Sequence, residues 1–501
     1  MNHLRTYLGL LTVVNSHFAH QLIGLTKGAN SPNSSREIYM NSESSTMNKP
    51  AQPELKKVLK PLHLWSIAVG LVISGEYFGW SYGWSVAGTV GFLISTVMIA
   101  VLYTTFVFSF TELTTAIPHA GGPFAYASRA LGTGLGALAG YATLIEFLFA
   151  PPAIASALGS YVHFIFPDLS VLSSSILIFL FFTAVNLIGV HFTARFELIV
   201  TLIAVIELLI FIGVVGPHFQ VSNFLRQSQP TTLAGIFAAI PYAIWFFLGI
   251  EGVAMAAEEV RNPEKDIPKG YLSGIFTLVF LSLAVMLTAG GVGDWQKLSQ
   301  MDYPVPEALA MALGHLHPLV KTLAGIGLFG LVASLNGIIF SSSRQVFALS
   351  RSRILPSFFS KIHAGTQAPH RATLFCGGIG IISLLSGKTS ELIILSALGA
   401  VTMYALSMLS LFQLRKVAPE LKRPFQVPLY PFFPGIALIL SLLSLFSILY
   451  YHPYLGLLFL GLITIGTLSF LIKSKTTIQN FTEGDLDHAL SNSTSGGELS
   501  V

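Results

Sequence analysis

The chain has 501 residues, of which 53% are hydrophobic and only 10% charged, and its formal net charge is +4. Apolar runs of about twenty residues recur along it, which excludes a water-soluble globular protein and indicates a polytopic membrane protein. The basic residues lie in short loops between these runs and form no patch with interleaved aromatic residues, which argues against nucleic acid as a partner. The single cysteine, Cys376, excludes an intrachain disulfide.

The two ends of the chain differ from its apolar centre. Residues 1–60 contain a modestly apolar stretch, YLGLLTVVNSHFAHQLIGL, followed by a polar run. Three interpretations stay open for them: a signal-like or interfacial helix, a solvated extension, or a start codon placed too early, with initiation at Met40 or Met47. Residues 476–501 are polar and rich in Ser and Gly, which predicts a disordered tail. We therefore expect one transmembrane domain, 61–475, between two tails.

The apolar runs of this domain predict twelve transmembrane helices, because backbone polar groups in the bilayer core must be satisfied within a helix. The predicted ranges are 64–88, 91–117, 134–164, 172–190, 196–216, 233–257, 271–291, 319–347, 371–387, 391–413, 432–449 and 454–472.

The lysines and arginines after residue 55 predict the orientation. With both tails in the cytoplasm, nineteen of them fall on the inner side and only Arg226, Lys297, Lys321 and Lys388 fall outside. This bias is typical of the positive-inside rule and favours an even number of spans.

The first predicted span contains ISGEYFGWSYGW, with Gly75, Glu76 and Gly79 near its middle, and the sixth contains LGIEGV, with Gly249 and Glu251. Paired glycine-interrupted helices, five spans apart, are typical of inverted-repeat transporters whose site lies at the repeat interface. Glycines four residues apart also allow close helix packing without a break. The two carboxylates favour the functional interpretation, because a charge at the bilayer centre costs several kcal/mol unless it faces a partner or a cavity.

Three longer stretches carry a family resemblance: FTELTTAIPHAGGPFAYASRALG, FFLGIEGVAMAAEEVRNPEKDIPKG and NGIIFSSSRQVFALSRSRILPSFFSKIHAGTQAPHRA. Together they look like the signature regions of the amino acid–polyamine–organocation permeases, over about residues 60–475. Most amino acid carriers of that superfamily have a Gly-Ser-Gly-like break in the first span. Here GEYFGW replaces it and resembles the ethanolamine permease branch.

The resemblance implies an all-α fold of twelve transmembrane helices, with a core of two inverted five-helix repeats, discontinuous helices 1 and 6, and peripheral helices 11 and 12. It implies that Trp245 covers the substrate and that Glu251 couples protons or holds the break in the sixth span. Some members carry a lysine in the fifth span where others bind sodium. This chain has none there, and Glu207 is the only ionisable residue of that span after Glu197.

The chemistry of ethanolamine gives Glu76 a role. At neutral pH this substrate is an ammonium with a hydroxyl and no carboxylate, so we expect Glu76 to be its counterion, with aromatic rings adding cation–π contacts of about 0.5–2 kcal/mol each. Alternatively, Glu76 pairs with nearby backbone or carries a proton. The predicted substrate-binding residues are Ser74, Gly75, Glu76, Tyr77, Phe78, Gly79, Trp245, Phe247 and Gly249, and the predicted proton-coupling or helix-break residues are Glu251 and Glu207.

Four other acidic residues receive weaker predictions. Glu146 in the third span is either functional or a buried structural acid, and Glu112 is expected near a cytoplasmic helix end. Glu258 and Glu259 follow the sixth span close to Arg261 and are expected to form a solvated or gating salt bridge.

The sequence therefore predicts a secondary transporter that imports ethanolamine or a similar small amine across a bacterial inner membrane. Uniport, proton symport and exchange stay open, and we expect neither a cofactor nor a metal. The alternative is an amino acid permease or exchanger of the same superfamily. An enzyme or receptor would require clustered catalytic residues or a sizeable extramembrane domain, and the sequence shows neither.

Overall fold

The structure is a computed structural model and describes residues 57–188, 194–226, 231–363, 365–366 and 368–474. The predictions for the two tails, apart from residues 57–60, lie outside the described residues. Within those residues the regular structure is helical, apart from an isolated parallel bridge between Leu59 and Val260.

The α-helices of the described residues are numbered here in chain order. They are α1 (Pro61–Val72), α2 (Ser74–Tyr77), α3 (Tyr82–Ala116), α4 (Pro123–Leu131), α5 (Thr133–Ile165), α6 (Val171–Ile188), α7 (Ala194–Val215), α8 (Val221–Phe224), α9 (Leu233–Ala238), α10 (Ile240–Trp245), α11 (Pro263–Val292), α12 (Trp295–Leu298), α13 (Pro304–Leu313), α14 (Pro318–Arg351), α15 (His370–Leu385), α16 (Thr389–Val417), α17 (Phe432–Tyr451) and α18 (Pro453–Ser474). Three 3₁₀ helices cover Gly216–His218, Ile250–Glu259 and Ser357–Ser360.

Ten helices of the described residues are long and apolar enough to cross a membrane. This confirms the predicted class, an all-helical polytopic membrane protein. The first predicted span is divided among α1, α2 and the start of α3, and the ninth corresponds to α15, which has 16 residues. The count of twelve spans therefore stays a prediction.

Helix α3 combines parts of two predicted spans. It has 35 residues, and a straight helix of that length would measure about 52 Å, well beyond the roughly 30 Å of a hydrocarbon core. Gly88 interrupts it with φ 68° and ψ 176°, a conformation that glycine adopts without strain. The residues before Gly88 complete the first predicted span, and those after it form the second.

Burial separates central from peripheral helices. In the most apolar stretches of Thr133–Ile165, Ile240–Glu259 and Thr389–Val417, 89%, 94% and 89% of the residues are buried inside the protein. The corresponding values are 33% for Phe432–Tyr451 and 22% for Pro453–Phe470. The third, sixth and tenth predicted spans thus form the centre, and the last two lie at the edge.

The segment before the first span is joined by its backbone to the segment after the sixth. The amides of Val58 and Leu59 both donate to the carbonyl of Glu259, at 2.9 and 3.0 Å, and the amide of Arg261 donates to the carbonyl of Leu59 at 3.1 Å. The two broken spans are therefore tied together at the end predicted to face the cytoplasm.

Candidate functional site

The first span is broken where the sequence predicts it. Helix α2 ends at Tyr77, and helical structure resumes at Tyr82. Between them Gly79 has φ +88°, which L side chains rarely adopt. The backbone ladder of the helix is interrupted there, which leaves polar groups of the chain available at mid-span.

The sixth span is broken at the corresponding place. Helix α10 ends at Trp245, Gly249 has φ +98° in the left-handed region, and the chain continues as the 3₁₀ helix Ile250–Glu259. The predicted pair of discontinuous helices is therefore present.

The two breaks are in direct contact. A Cβ placed on Gly75 would collide with the carbonyl oxygen of Trp245 and come within 3.0 Å of the Cα of Phe246. A Cβ on Gly79 would lie 2.6 Å from Cδ1 and 2.7 Å from Nε1 of Trp245. At Gly75 the missing side chain allows the two broken segments to approach closely. At Gly79 it allows both the close approach and the turn.

Two buried polar groups at this crossing are unsatisfied. Both carboxylate oxygens of Glu76 and the indole Nε1 of Trp245 are buried and have no hydrogen-bond partner among the described residues. Glu76 is 0% exposed, and none of the ion pairs of the described residues includes it. The ring of Phe78 meets that of Trp245 edge-to-face at 5.4 Å. A carboxylate acceptor, an N–H donor and aromatic surface thus lie on the two broken segments.

Three other predicted substrate-binding side chains already have partners in the protein. The hydroxyl of Ser74 bonds that of Ser334 in α14 at 2.8 Å. The ring of Phe247 packs against Tyr103 at 5.0 Å between centroids. The hydroxyl of Tyr77 donates to Glu207 Oε2 at 2.7 Å. These side chains shape the broken segments through their packing with other helices.

Glu207 therefore lies next to the first span, although 130 residues separate it from Tyr77. Tyr77 also donates to the carbonyl of Ala204 at 3.1 Å and accepts, at its own carbonyl, a hydrogen bond of 2.9 Å from the Tyr161 hydroxyl. Glu207 is 2% exposed. The fifth and third spans thus hold the end of α2 directly before the break.

Glu251 belongs to a polar network that connects five spans. Its Oε2 accepts a hydrogen bond of 3.1 Å from the Tyr404 hydroxyl, and Tyr404 in turn shares one of 2.9 Å with Tyr103. The Tyr271 hydroxyl donates to the Glu251 carbonyl at 3.4 Å. The carboxyl of Glu146 in α5 lies close enough to that of Glu251 for the two to interact electrostatically, although both Glu146 oxygens have no hydrogen-bond partner among the described residues. Two acids and the Tyr404 hydroxyl thus form a buried group that could accept and pass on a proton.

Sequence reasoning identifies Glu251 but does not find its tyrosine partners. Tyr103 and Tyr404 lie in apolar helices where an aromatic ring is expected to pack, and no spacing distinguishes a packing tyrosine from a bonded one. Glu146 carries the one available signal, an acid within an apolar run, and the sequence leaves its role undecided.

The remaining acids lie away from the breaks. Glu112 accepts two hydrogen bonds from Arg415, at 2.9 and 2.6 Å, and one of 2.8 Å from the amide of Val427. Glu259 pairs with Arg344 at 3.3 Å, and Glu258 accepts from the amide of Ala120 at 2.8 Å. The expectation of a salt bridge near the end of the sixth span is met by Arg344 of α14, not by the neighbouring basic residues, because the 3₁₀ helix turns Glu259 toward that helix.

Comparison with known proteins gives consistent matches over most of the chain. Residues 63–476 match the family model described as amino acid permease. The chain is 28% identical to an uncharacterized transporter of Rhizobium meliloti (strain 1021), over 82% of this chain and 90% of that protein. It is 24% identical to a branched-chain amino acid permease of Bacillus subtilis (strain 168), over 79% of this chain and 89% of that protein. It is 25% identical to a methylthioribose transporter of the same organism, over 84% of this chain and 94% of that protein.

Proposed function

Because this chain belongs to the amino acid permease family, we propose that it is a secondary transporter that imports ethanolamine or a closely related small organic ammonium by alternating access. The observation that carries this proposal is the buried carboxylate of Glu76, which lies beside the crossing of the two broken spans and has no hydrogen-bond partner among the residues that the structure describes. An uncompensated charge in a low-dielectric interior is costly, and a cationic substrate would supply the missing partner.

Trp245 adds a hydrogen-bond donor and an aromatic ring to the site proposed around Glu76. Its unpartnered indole N–H is a donor, and its ring presents an aromatic face to a cation. Ethanolammonium offers the complementary pair of groups, an ammonium that donates to a carboxylate and a hydroxyl that accepts from an N–H. Glu76 and Trp245 together therefore suit this substrate better than one that lacks either group.

The driving force need not include a second ion. A positive charge that enters a negative-inside cell gains about 2.3 kcal/mol per 100 mV, so voltage alone could concentrate the ammonium. We assign proton coupling, where it occurs, to the Glu251 network, with Glu207 as a second candidate beside the first break. Neither assignment requires a cofactor or a metal.

The alternative function is an amino acid permease, which the similarity to the branched-chain amino acid permease of Bacillus subtilis favours. Such a substrate would place its carboxylate at the free amides of a broken helix. In this chain that position adjoins Glu76, which would repel the carboxylate. The methylthioribose transporter shows that relatives of this similarity differ in substrate.

We further propose a single transmembrane permease domain, 61–475, in a bacterial inner membrane with both tails in the cytoplasm. The support is the excess of lysine and arginine in the loops assigned to the inner side.

The test is uptake of radiolabelled ethanolamine into proteoliposomes, with and without an imposed voltage. We expect saturable, voltage-stimulated uptake by the wild type. Glu76→Gln should raise the apparent KM about tenfold to a hundredfold, since a hydrogen bond to a charged group contributes about 1.5–3 kcal/mol. The matched control is Glu264→Gln, because Glu264 is a surface residue paired with an exposed lysine.

Two results would contradict the proposal in different ways. Strong uptake of a zwitterionic amino acid with no uptake of ethanolamine would show that the substrate is an amino acid and not ethanolamine. An unchanged KM for ethanolamine in Glu76→Gln would exclude Glu76 as the counterion, but it would not contradict the assignment of the protein as a transporter.

A further inference from the structure

A second cluster of polar groups lies away from the two breaks, at the end of the molecule predicted to face outward. Asp302 belongs to the loop between α12 (Trp295–Leu298) and α13 (Pro304–Leu313). Its Oδ1 accepts a hydrogen bond of 2.5 Å from the Tyr82 hydroxyl, and its Oδ2 accepts bonds of 2.9 Å from Thr389 and 3.5 Å from Ser156.

These three partners come from three different spans. Tyr82 begins α3 and is the first residue after the broken segment of the first span, Ser156 lies in α5, and Thr389 begins α16. The Ser156 and Thr389 hydroxyls also lie 2.8 Å apart, and because Thr389 donates its proton to Asp302, the single proton of Ser156 is divided between Thr389 and Asp302. The Asp302 carboxylate is thus hydrogen-bonded to the outer ends of the first, third and tenth spans.

The outer half of the sixth span reaches the same place. The ring of Tyr82 lies 5.9 Å from that of Tyr242 in α10, the short helix that leads to the sixth-span break. Both outer half-helices therefore end at this cluster, whose other members, Ser156 and Thr389, belong to α5 and α16.

The pathway is closed in this structure. Ile393 of α16, whose Cδ1 lies 2.8 Å from a Cβ placed on Gly79, is 0% exposed, and so is Phe78. Two of the partners of Asp302 lie close to these residues along the chain, since Tyr82 follows Gly79 by three residues and Thr389 precedes Ile393 by four. Within this outer segment, Lys297 of α12 pairs with Glu307 of α13 at 2.5 Å, which joins the two short helices that flank the loop.

We propose that Asp302 is an outward gate latch: its carboxylate holds the first span against the third and tenth spans and keeps the path to the broken segments closed. The inference rests on the alternating-access transport proposed above. Bonds from three hydroxyls to one carboxylate suit a latch, because each hydroxyl can turn to water when the helices part and no buried cation is left unpaired.

The test measures opening without measuring transport. A cysteine is placed at Ile393 in a Cys376→Ser background, and its labelling by a membrane-impermeant cationic thiosulfonate is followed in right-side-out vesicles. We expect slow labelling in the parent and a severalfold increase in Asp302→Ala. The matched control is Asp294→Asn, since the Asp294 carboxylate lies at the start of α12, where it accepts from the amide of Gln296 at 3.1 Å, and is not among the partners of the Asp302 cluster.

A second variant keeps the test decisive if Asp302→Ala does not fold. Tyr82→Phe removes one hydroxyl and retains the ring, and it should raise labelling to a smaller extent. Unchanged labelling in folded Asp302→Ala, or in folded Tyr82→Phe where Asp302→Ala does not fold, would overturn the latch, and so would an increase seen only in inside-out vesicles. A failure of ethanolamine uptake would leave this result untouched, because the labelling assay contains no substrate.

Discussion

Gly79 and Trp245 are in such close contact that a Cβ on the glycine would lie 2.7 Å from the indole Nε1. Gly79→Ala should therefore abolish uptake, because the methyl group displaces the ring and the φ of +88° costs a non-glycine residue about 1–2 kcal/mol. Initial uptake rates per folded transporter check this. The matched control is Gly134→Ala, where an added Cβ meets nothing within 4 Å, and its uptake should be normal. Normal uptake by Gly79→Ala would show that the crossing is looser than described.

The unpartnered indole N–H predicts a substrate-dependent effect at Trp245. Trp245→Phe should raise the KM for ethanolamine about two- to tenfold, since a neutral hydrogen bond contributes about 0.5–1.5 kcal/mol. Inhibition by ethylamine, which lacks the hydroxyl, should change much less. Trp84→Phe is the matched control, because Trp84 Nε1 is also buried without a partner among the described residues. Equal losses for both amines would assign Trp245 to packing alone.

The polar network around Glu251 predicts a loss of proton coupling that can be separated from transport. Glu251→Gln should remove the stimulation of uptake by an imposed pH gradient and retain voltage-driven uptake. Tyr404→Phe should weaken the stimulation, because Tyr404 donates to Glu251 Oε2 at 3.1 Å. Proteoliposomes with independently set voltage and pH gradients make the comparison. A full pH response in both variants would exclude this network as the coupling site.

The Glu112–Arg415 pair predicts a change in stability without a change in transport. Glu112→Gln breaks a bidentate pair whose carboxylate side is 1% exposed, so we expect a loss of about 2 kcal/mol or more in the free energy of unfolding. Thermal unfolding in detergent measures it. Glu264→Gln, which breaks an exposed pair with Lys422, should cost about 0–1 kcal/mol. A changed KM, or a lower uptake rate per folded Glu112→Gln molecule, would instead show that Glu112 has a role in transport.

Outward opening should depend on external pH through Asp302. Burial raises the pKa of its carboxyl above the ordinary value. The closed form therefore binds the proton more tightly than an open form with a hydrated carboxyl, so acidification favours closure and alkalinity favours opening. The ionisable side chains facing Asp302 are Tyr82 and Tyr303, with the Lys297–Glu307 pair beyond Tyr303.

The measurement is the labelling rate of the cysteine at Ile393, divided at each pH by the rate in Asp302→Asn. This ratio cancels the pH dependence of thiol reactivity itself. The ratio should fall as external pH falls, and a flat ratio would contradict the prediction.

Hydropathy predicted the class and most helix positions, because length and apolar content alone determine whether a segment can span a bilayer. The details of the breaks were less accessible. Gly75 and Gly79 look alike in the sequence, yet Gly75 is helical and only Gly79 has a positive φ. Glycine gives the same signal for close approach and for an unusual turn, so composition could not separate them.

Contacts between distant helices were not predictable from one sequence. The pairing of Glu207 with Tyr77 and of Glu251 with Tyr404 depends on how helices rotate about their axes, which apolar runs with almost no polar face leave undetermined. The Asp302 cluster was not predicted either, because an acid in a short polar loop usually faces water.

The backbone pairing of Leu59 with the chain around Val260 has a mechanical consequence. Main-chain hydrogen bonds do not depend on side-chain identity, so this connection between the inner ends of the two broken spans persists through any side-chain substitution that keeps the backbone amide. At the outer end the attachment is made by side chains instead: Asp302 bonds the first span through Tyr82, and Tyr82 reaches the sixth span through its ring contact with Tyr242.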